Sequence, residues 1–123
     1  MSRRILVVDD QEDNRRILRD LFTASGFEVI EGTTGEEGVT LAAEKRPDLI
    51  LMDIQLPGID GYEATRQIKA KPALSATPLI VVTSYALSGD EAKAFAAGAD
   101  AYVSKPFSPR ALLAKVREFL GPA

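Results

Sequence analysis

The chain predicts an α/β fold built on a five-stranded parallel sheet with helices on both faces. Three observations point there. Short runs such as ILVV, LILM and LIVV are apolar throughout rather than alternating, as strands covered on both sides must be. Five such segments alternate strictly with helical patterns, which implies right-handed crossovers. Finally, the apolar runs stop abruptly on polar residues, most clearly at Asp53 in LILMDIQLPGIDG (Leu49–Gly61), where Pro57, Gly58, Asp60 and Gly61 then break the chain into a loop.

In order, residues 4 to 9 form the first strand and lead into a helix from about Glu12 to Ser25, with Ile17, Leu18, Leu21 and Phe22 as its apolar face. Gly26 closes it. Phe27 to Glu31 is a second strand, after which Thr34 and Glu37 make a capping box for a helix ending before Pro47. Glycines 35 and 38 weaken its start. The third strand carries Asp53, and Asp60 with Glu63 caps a helix through about Lys69. Pro72 and Pro78 bound a loop before the fourth strand, Leu79 to Thr83. Ser88 and Glu91 form another capping box, opening a helix whose buried face is alanine around Phe95 and whose C-cap is Gly98. The fifth strand, Ala101 to Ser104, precedes Ser108-Pro109 and a helix buried through Leu112, Leu113, Val116, Phe119 and Leu120.

With 123 residues the chain is of one-domain size and able to bury roughly two-thirds of its unfolded surface. It has no cysteine, so disulfides, thiol nucleophiles and thiolate metal sites are excluded, and a reducing cytoplasm suits it. Its lack of histidine excludes His-based catalytic triads, His metal sites and a phosphohistidine of its own. A net charge of −3 argues against direct nucleic-acid binding, and no stretch has the length of a membrane span or the form of a signal peptide. GTTGEEG is not a dinucleotide fingerprint, and a Gly-Lys-Ser/Thr phosphate loop is missing.

Parallel sheets bind ligands at the carboxyl ends of their strands. Here those ends carry Asp9 and Asp10, Asp53, Thr83 and Ser84, and Lys105-Pro106. Singly, each has an ordinary structural explanation: a turn former, a helix cap, a β-branched strand residue, a solvated lysine. Together they suggest chemistry. Crowded carboxylates should push at least one pKa up unless a cation intervenes. Oxygen ligands without His or Cys select a hard ion, best Mg²⁺ with a phosphate. A carboxylate can then act as nucleophile toward phosphorus, with metal and ammonium neutralising the transferring oxygens.

With Asp9-Asp10, ILMDIQLPGIDGYE, VVTSYA and SKPF all in order and spacing, the whole chain resembles a receiver domain of the two-component response-regulator family (CheY-like). The resemblance implies a flavodoxin-like fold with strand order 2-1-3-4-5. It further implies that Asp53 accepts a phosphoryl group from a phosphohistidine on a sensor histidine kinase or histidine phosphotransfer protein. Asp10 and Asp53 would hold Mg²⁺, with Gln55 contributing its backbone carbonyl and Asp9 acting through water. Lys105, aimed by a Lys105-Pro106 peptide that is typically cis in the family, would pair with phosphoryl oxygens, and Thr83 would hydrogen-bond one. Tyr102 would be the switch aromatic, coupling the site to a surface of fourth helix, fifth strand and fifth helix where a protein target docks. Gln55 and Tyr85 stand at positions that vary in the family and tune phosphoryl lifetime.

Residues 1–123 are thus expected to form a single receiver domain, non-enzymatic and cytoplasmic, resembling a stand-alone receiver; a fragment of a larger regulator or hybrid kinase stays open. The alternatives are a receiver fold binding partners without phosphorylation and a phosphatase of haloacid-dehalogenase type. The latter expects an acid two residues beyond its nucleophile at the end of the first strand; Asp9 is followed at that spacing by Gln11, and Asp10 by Glu12 in an otherwise unmatched context.

Overall fold

Buried apolar runs make the sheet. The computed structural model describes residues 3–83, 90–105 and 107–121. Strands β1 (Arg4–Val8), β2 (Glu28–Gly32), β3 (Leu49–Asp53), β4 (Leu79–Thr83) and β5 (Ala101–Ser104) alternate with helices α1 (Glu12–Ala24), α2 (Gly35–Lys45), α3 (Gly61–Lys69), α4 (Asp90–Ala96) and α5 (Pro109–Leu120). All neighbouring strands are parallel, in the order β2-β1-β3-β4-β5. The expected α/β, flavodoxin-like topology is therefore the observed one.

The lack of polar alternation has a direct cause: each face of the sheet has its own core. Ile5, Val7, Leu51 and Val82 meet Leu18 and Phe22 of α1 and Leu112, Val116 and Leu120 of α5. Residues one step along, among them Leu6, Val8, Ile50, Met52 and Val81, meet Ala42 of α2, Ala64 and Ile68 of α3 and Ala94 of α4. Phe22 and Phe27 pack edge to face, with ring centres 6.2 Å apart. Burying one such ring contributes roughly 1.5–3 kcal/mol.

Three apolar residues depart from expectation. On α1 the covered stripe runs through Arg15, Leu18 and Phe22, so Ile17, on its margin, is 51% exposed. Ala94 on α4 and Ala97 just beyond its end are buried; Phe95, about 100° round the helix from Ala94, is 45% exposed. Phe119 sits on the margin of the α5 stripe set by Leu112, Val116 and Leu120 and is 38% exposed. Helix periodicity locates an apolar stripe but not how far its neighbours reach across it.

The caps follow side-chain chemistry. Thr34 accepts from Glu37 N–H, Asp60 from Glu63 N–H and Ser108 from Ala111 N–H. The return arm of the first box reaches one residue further than expected, because Glu37 accepts from the Thr33 rather than the Thr34 N–H. The second strand begins and ends one residue later than expected. Gly98, at φ 109°, turns the chain after α4 and donates to the Phe95 carbonyl. The Ser88 cap, Ser84, Tyr85 and Pro106 lie outside the described residues.

Gly61 bears directly on Asp53. The start of α3 is pressed so close to the end of β3 that a Cβ on Gly61 would overlap the Asp53 carbonyl and lie 2.7 Å from Ile54 Cα. Backbone cannot yield there without moving the strand tip. Gly61→Ala should therefore destabilise the protein by roughly 1–3 kcal/mol despite its better helix propensity. Urea unfolding checks this, and equal stability would mean that the close approach imposes no constraint.

Candidate functional site

Strand alternation brings the site together. Side chains two residues apart share a face, so Val7 leads to Asp9, Leu51 to Asp53 and Val103 to Lys105, all toward the α1 and α5 layer. The ladder continues far enough to hold them: Asp9 N–H donates to Gly32 O at 3.1 Å and Lys105 N–H to Thr83 O at 2.6 Å. Lys105 Nζ lies 3.1 Å from Asp9 Oδ2 and 3.3 Å from Asp53 Oδ2. Asn14, Leu18 and Phe107 join these three in lining a small pocket.

The second oxygen of each acid is also held. Asp9 Oδ1 accepts from Gln11 N–H at 2.9 Å and Asp53 Oδ1 from Gln55 N–H at 3.3 Å, each bonding its own backbone two residues on. Asp9 is 3% and Asp53 6% exposed, while Asp10 faces solvent. Burial is the largest influence on Asp53 and raises its pKa; Lys105 opposes it, and the Asp9 charge adds to it. An upward shift is present although a cation stands between the acids, and burial rather than crowding leads it. Burial alone would lower the Lys105 ammonium; Asp53 and Asp9 outweigh it and hold its pKa above the ordinary lysine value.

Carboxylate oxygens of Asp9, Asp10 and Asp53 lie within 4.8 Å of one another. An all-oxygen donor set with neither imidazole nor thiolate fits a hard divalent cation such as Mg²⁺. Gln55 is exposed and follows Asp53 by two residues. Thr83 is fully buried at the tip of β4, opposite Ser104 of β5. Tyr102 is half-buried and packs against the core on the α2 to α4 side. Asp9, Asp53 and Lys105 are thus in direct contact and Asp10 beside them, whereas Thr83 and Tyr102 belong to the opposite face of the same sheet edge.

Comparison with known proteins decides the family. A family profile described as the response regulator receiver domain matches residues 5–117. The chain belongs to the response-regulator receiver family. It is 43% identical over 123 residues, the whole of both chains, to the polar-differentiation response regulator DivK of Brucella anthropi. A putative response regulator from Chloroflexus aurantiacus superimposes with a TM-score of 0.92 at 30% identity, covering 98% of each chain. The receiver domain of a sensor histidine kinase from Pseudomonas aeruginosa gives 0.91 at 34% identity over 98% of this chain and 99% of that one; it has a magnesium ion coordinated in its active-site cleft. Receivers are modules of two-component signalling rather than a catalytic enzyme family, which sets aside the dehalogenase reading. Among the described residues no helix is long and apolar enough to cross a membrane.

One residue escaped the sequence reading. Arg15 is only 9% exposed, and its Nη1 donates to the Asp9 carbonyl at 2.8 Å. Its signal was available: positions 15, 18 and 22 share one helical face, so Arg15 is a charge on an otherwise apolar stripe.

The raised Asp53 pKa has a signed consequence. With the folded value above the unfolded one, the carboxyl's contribution to stability is complete below the ordinary carboxylate range and lost as pH rises through the raised value. Asp53→Asn cannot ionise. In chelator it should melt above the wild type at pH 7 and lose that advantage by about pH 3. Calorimetry across this range tests it; a pH-independent difference would contradict the burial argument.

Proposed function

We propose that this chain is a phosphorylation-dependent signalling switch in which Asp53 accepts a phosphoryl group from a phosphohistidine on a sensor histidine kinase or histidine phosphotransfer protein. The observation that carries this reading is the placement of Lys105 Nζ between Asp53 and Asp9, 3.3 and 3.1 Å away, beside three converging carboxylates. An Asp53 oxygen attacks phosphorus, forming the new P–O bond as the P–N bond to the donor imidazole breaks; the electron pair leaves with that nitrogen, which takes up a proton. Lys105 pairs with the phosphoryl oxygens as charge builds, and Thr83 donates its hydroxyl to one of them. Asp10, Asp53 and the Gln55 carbonyl would hold Mg²⁺ directly and Asp9 through water, and the ion supplies charge neutralisation at the phosphoryl group.

In the same reading the aspartyl phosphate draws Thr83 inward, Tyr102 follows, and the α4, β5 and α5 surface shifts toward a form that a downstream protein recognises. Thr83 and Tyr102 are fitted to this by register: Tyr102 pairs with Val81 and Ser104 with Thr83, so the two side chains are diagonal neighbours on one face. The domain spans residues 1–123. It works in the cytoplasm through proteins rather than nucleic acid, as a charge of −3 favours, and turns over its own acyl phosphate.

Incubation with acetyl phosphate and Mg²⁺ should add one phosphoryl group, seen by intact-protein mass spectrometry, and Asp53→Ala should abolish it. Equal labelling of that variant would place the acceptor elsewhere, and no labelling of the wild type would favour a phosphorylation-independent binding module. Mg²⁺ alone should raise the melting temperature; at about ten times its dissociation constant it contributes roughly 1.4 kcal/mol. An unmoved midpoint at saturating Mg²⁺ would count against a metal site at these acids.

A further inference from the structure

We infer that Arg15 is a positioning residue for the acidic turn, fixing the peptide between Asp9 and Asp10 so that Asp10 presents its carboxylate to a bound cation. This rests on the metal-site reading above. Every polar group of Asp9 is engaged: its N–H by Gly32 O, Oδ1 by Gln11 N–H, Oδ2 by Lys105, and its carbonyl by Arg15 Nη1 at 2.8 Å. The Asp9 carbonyl and the Asp10 N–H belong to one planar peptide, so holding the first sets the orientation of the second. Asp10 itself is exposed, and that plane fixes where its Cα stands and so where its side chain starts.

Arg15 is itself held from two further sides. Its Nε donates to Glu31 on β2 at 3.2 Å and its Nη2 to Glu12 on α1 at 2.5 Å, while Arg19 grips the other Glu31 oxygen at 2.8 Å. A planar guanidinium can serve three acceptors in fixed directions, which a lysine ammonium on a flexible stem does less well. The carbonyl that orients Asp10 is thereby braced to both α1 and the sheet edge. Arg19 belongs to the same ion-pair network yet lacks a bond to Asp9, which makes it the control.

Titration calorimetry with MgCl₂ alone, and hydrogen exchange in chelator of the Gln11 amide, which bonds Asp9 Oδ1 across this turn at 2.9 Å, should be measured on four proteins: wild type, Arg15→Met, Arg19→Met and Asp10→Asn. Groups that orient metal ligands typically change affinity 10–100-fold. Arg15→Met is expected to weaken Mg²⁺ binding about tenfold or more and to speed Gln11 exchange in the metal-free protein, while Arg19→Met stays within about twofold on both. Arg15→Met leaves Glu31 paired with Arg19, so no acid is stranded; should it not fold, Arg15→Leu with Glu31→Gln, which removes both charges together, carries the same comparison. Wild-type Mg²⁺ affinity and Gln11 exchange in the Arg15 variant, alongside weakened binding in Asp10→Asn, would overturn the inference and leave the metal-site reading standing. Unchanged binding in Asp10→Asn would remove that reading and this inference with it.

Discussion

Lys105 joins residues that the sequence keeps far apart: its ammonium, at the end of β5, sits between the carboxylates ending β1 and β3, with Asp9 96 positions away. Three ionised groups at 16%, 4% and 8% side-chain exposure would be expensive to bury separately. Two acids around one cation reduce that cost without cancelling it, since one negative charge remains in excess. The directions of the pKa shifts express the same imbalance: burial leaves Asp53 easier to protonate despite its ion pair, while Lys105, facing two acids, holds its proton more tightly. A site left short of positive charge is chemically prepared for a divalent cation, and its donor atoms are all oxygen.

Holding this arrangement requires support from several elements. The sheet supplies the ladder bonds that carry Asp9 and Lys105 past the ends of their strands. Gln11 and Gln55 bind the outer oxygens of the two acids from their own backbones. Gly61 lets the start of α3 lie against the Asp53 carbonyl, and Arg15 braces the turn after β1 from the helix side. Each of these is a short-range device, yet all act on groups whose mutual distance is set by strand order.

This division explains what the sequence could and could not disclose. Asp53 was legible because an apolar run stopping on an acid is a local pattern, and the strand boundaries followed from the same runs. Strand order was not: five strand and helix units in alternation allow several sheet orders, and only the resemblance to receivers selected one. Ile17, Phe95 and Phe119 were misassigned to buried faces because their exposure depends on how far the neighbouring layer extends, which periodicity does not encode. Arg15 lies between these cases. Its position on an apolar stripe was visible, but its acceptor is a backbone carbonyl, and sequence patterns describe side chains.

The two faces of the sheet constrain how a change at Asp53 reaches the surface. Asp9, Asp53 and Lys105 follow strand positions directed toward α1 and α5, while Thr83 and Tyr102 follow those directed toward α2, α3 and α4. In the proposed switch the phosphoryl group must therefore act round the tip of β4 rather than through the packed sheet, whose core does not deform continuously. The structure provides a link at that tip: Lys105, which would meet the phosphoryl oxygens with its side chain, donates its backbone N–H to the carbonyl of Thr83 at 2.6 Å. Lys105 and Thr83 are thus tied at the backbone while their side chains serve opposite faces. In that proposed switch a displacement of Thr83 would move the strand end that carries Lys105, and one that draws Lys105 toward new charge would move Thr83. Coupling of this kind needs only that the joined tips of β4 and β5 adopt two positions.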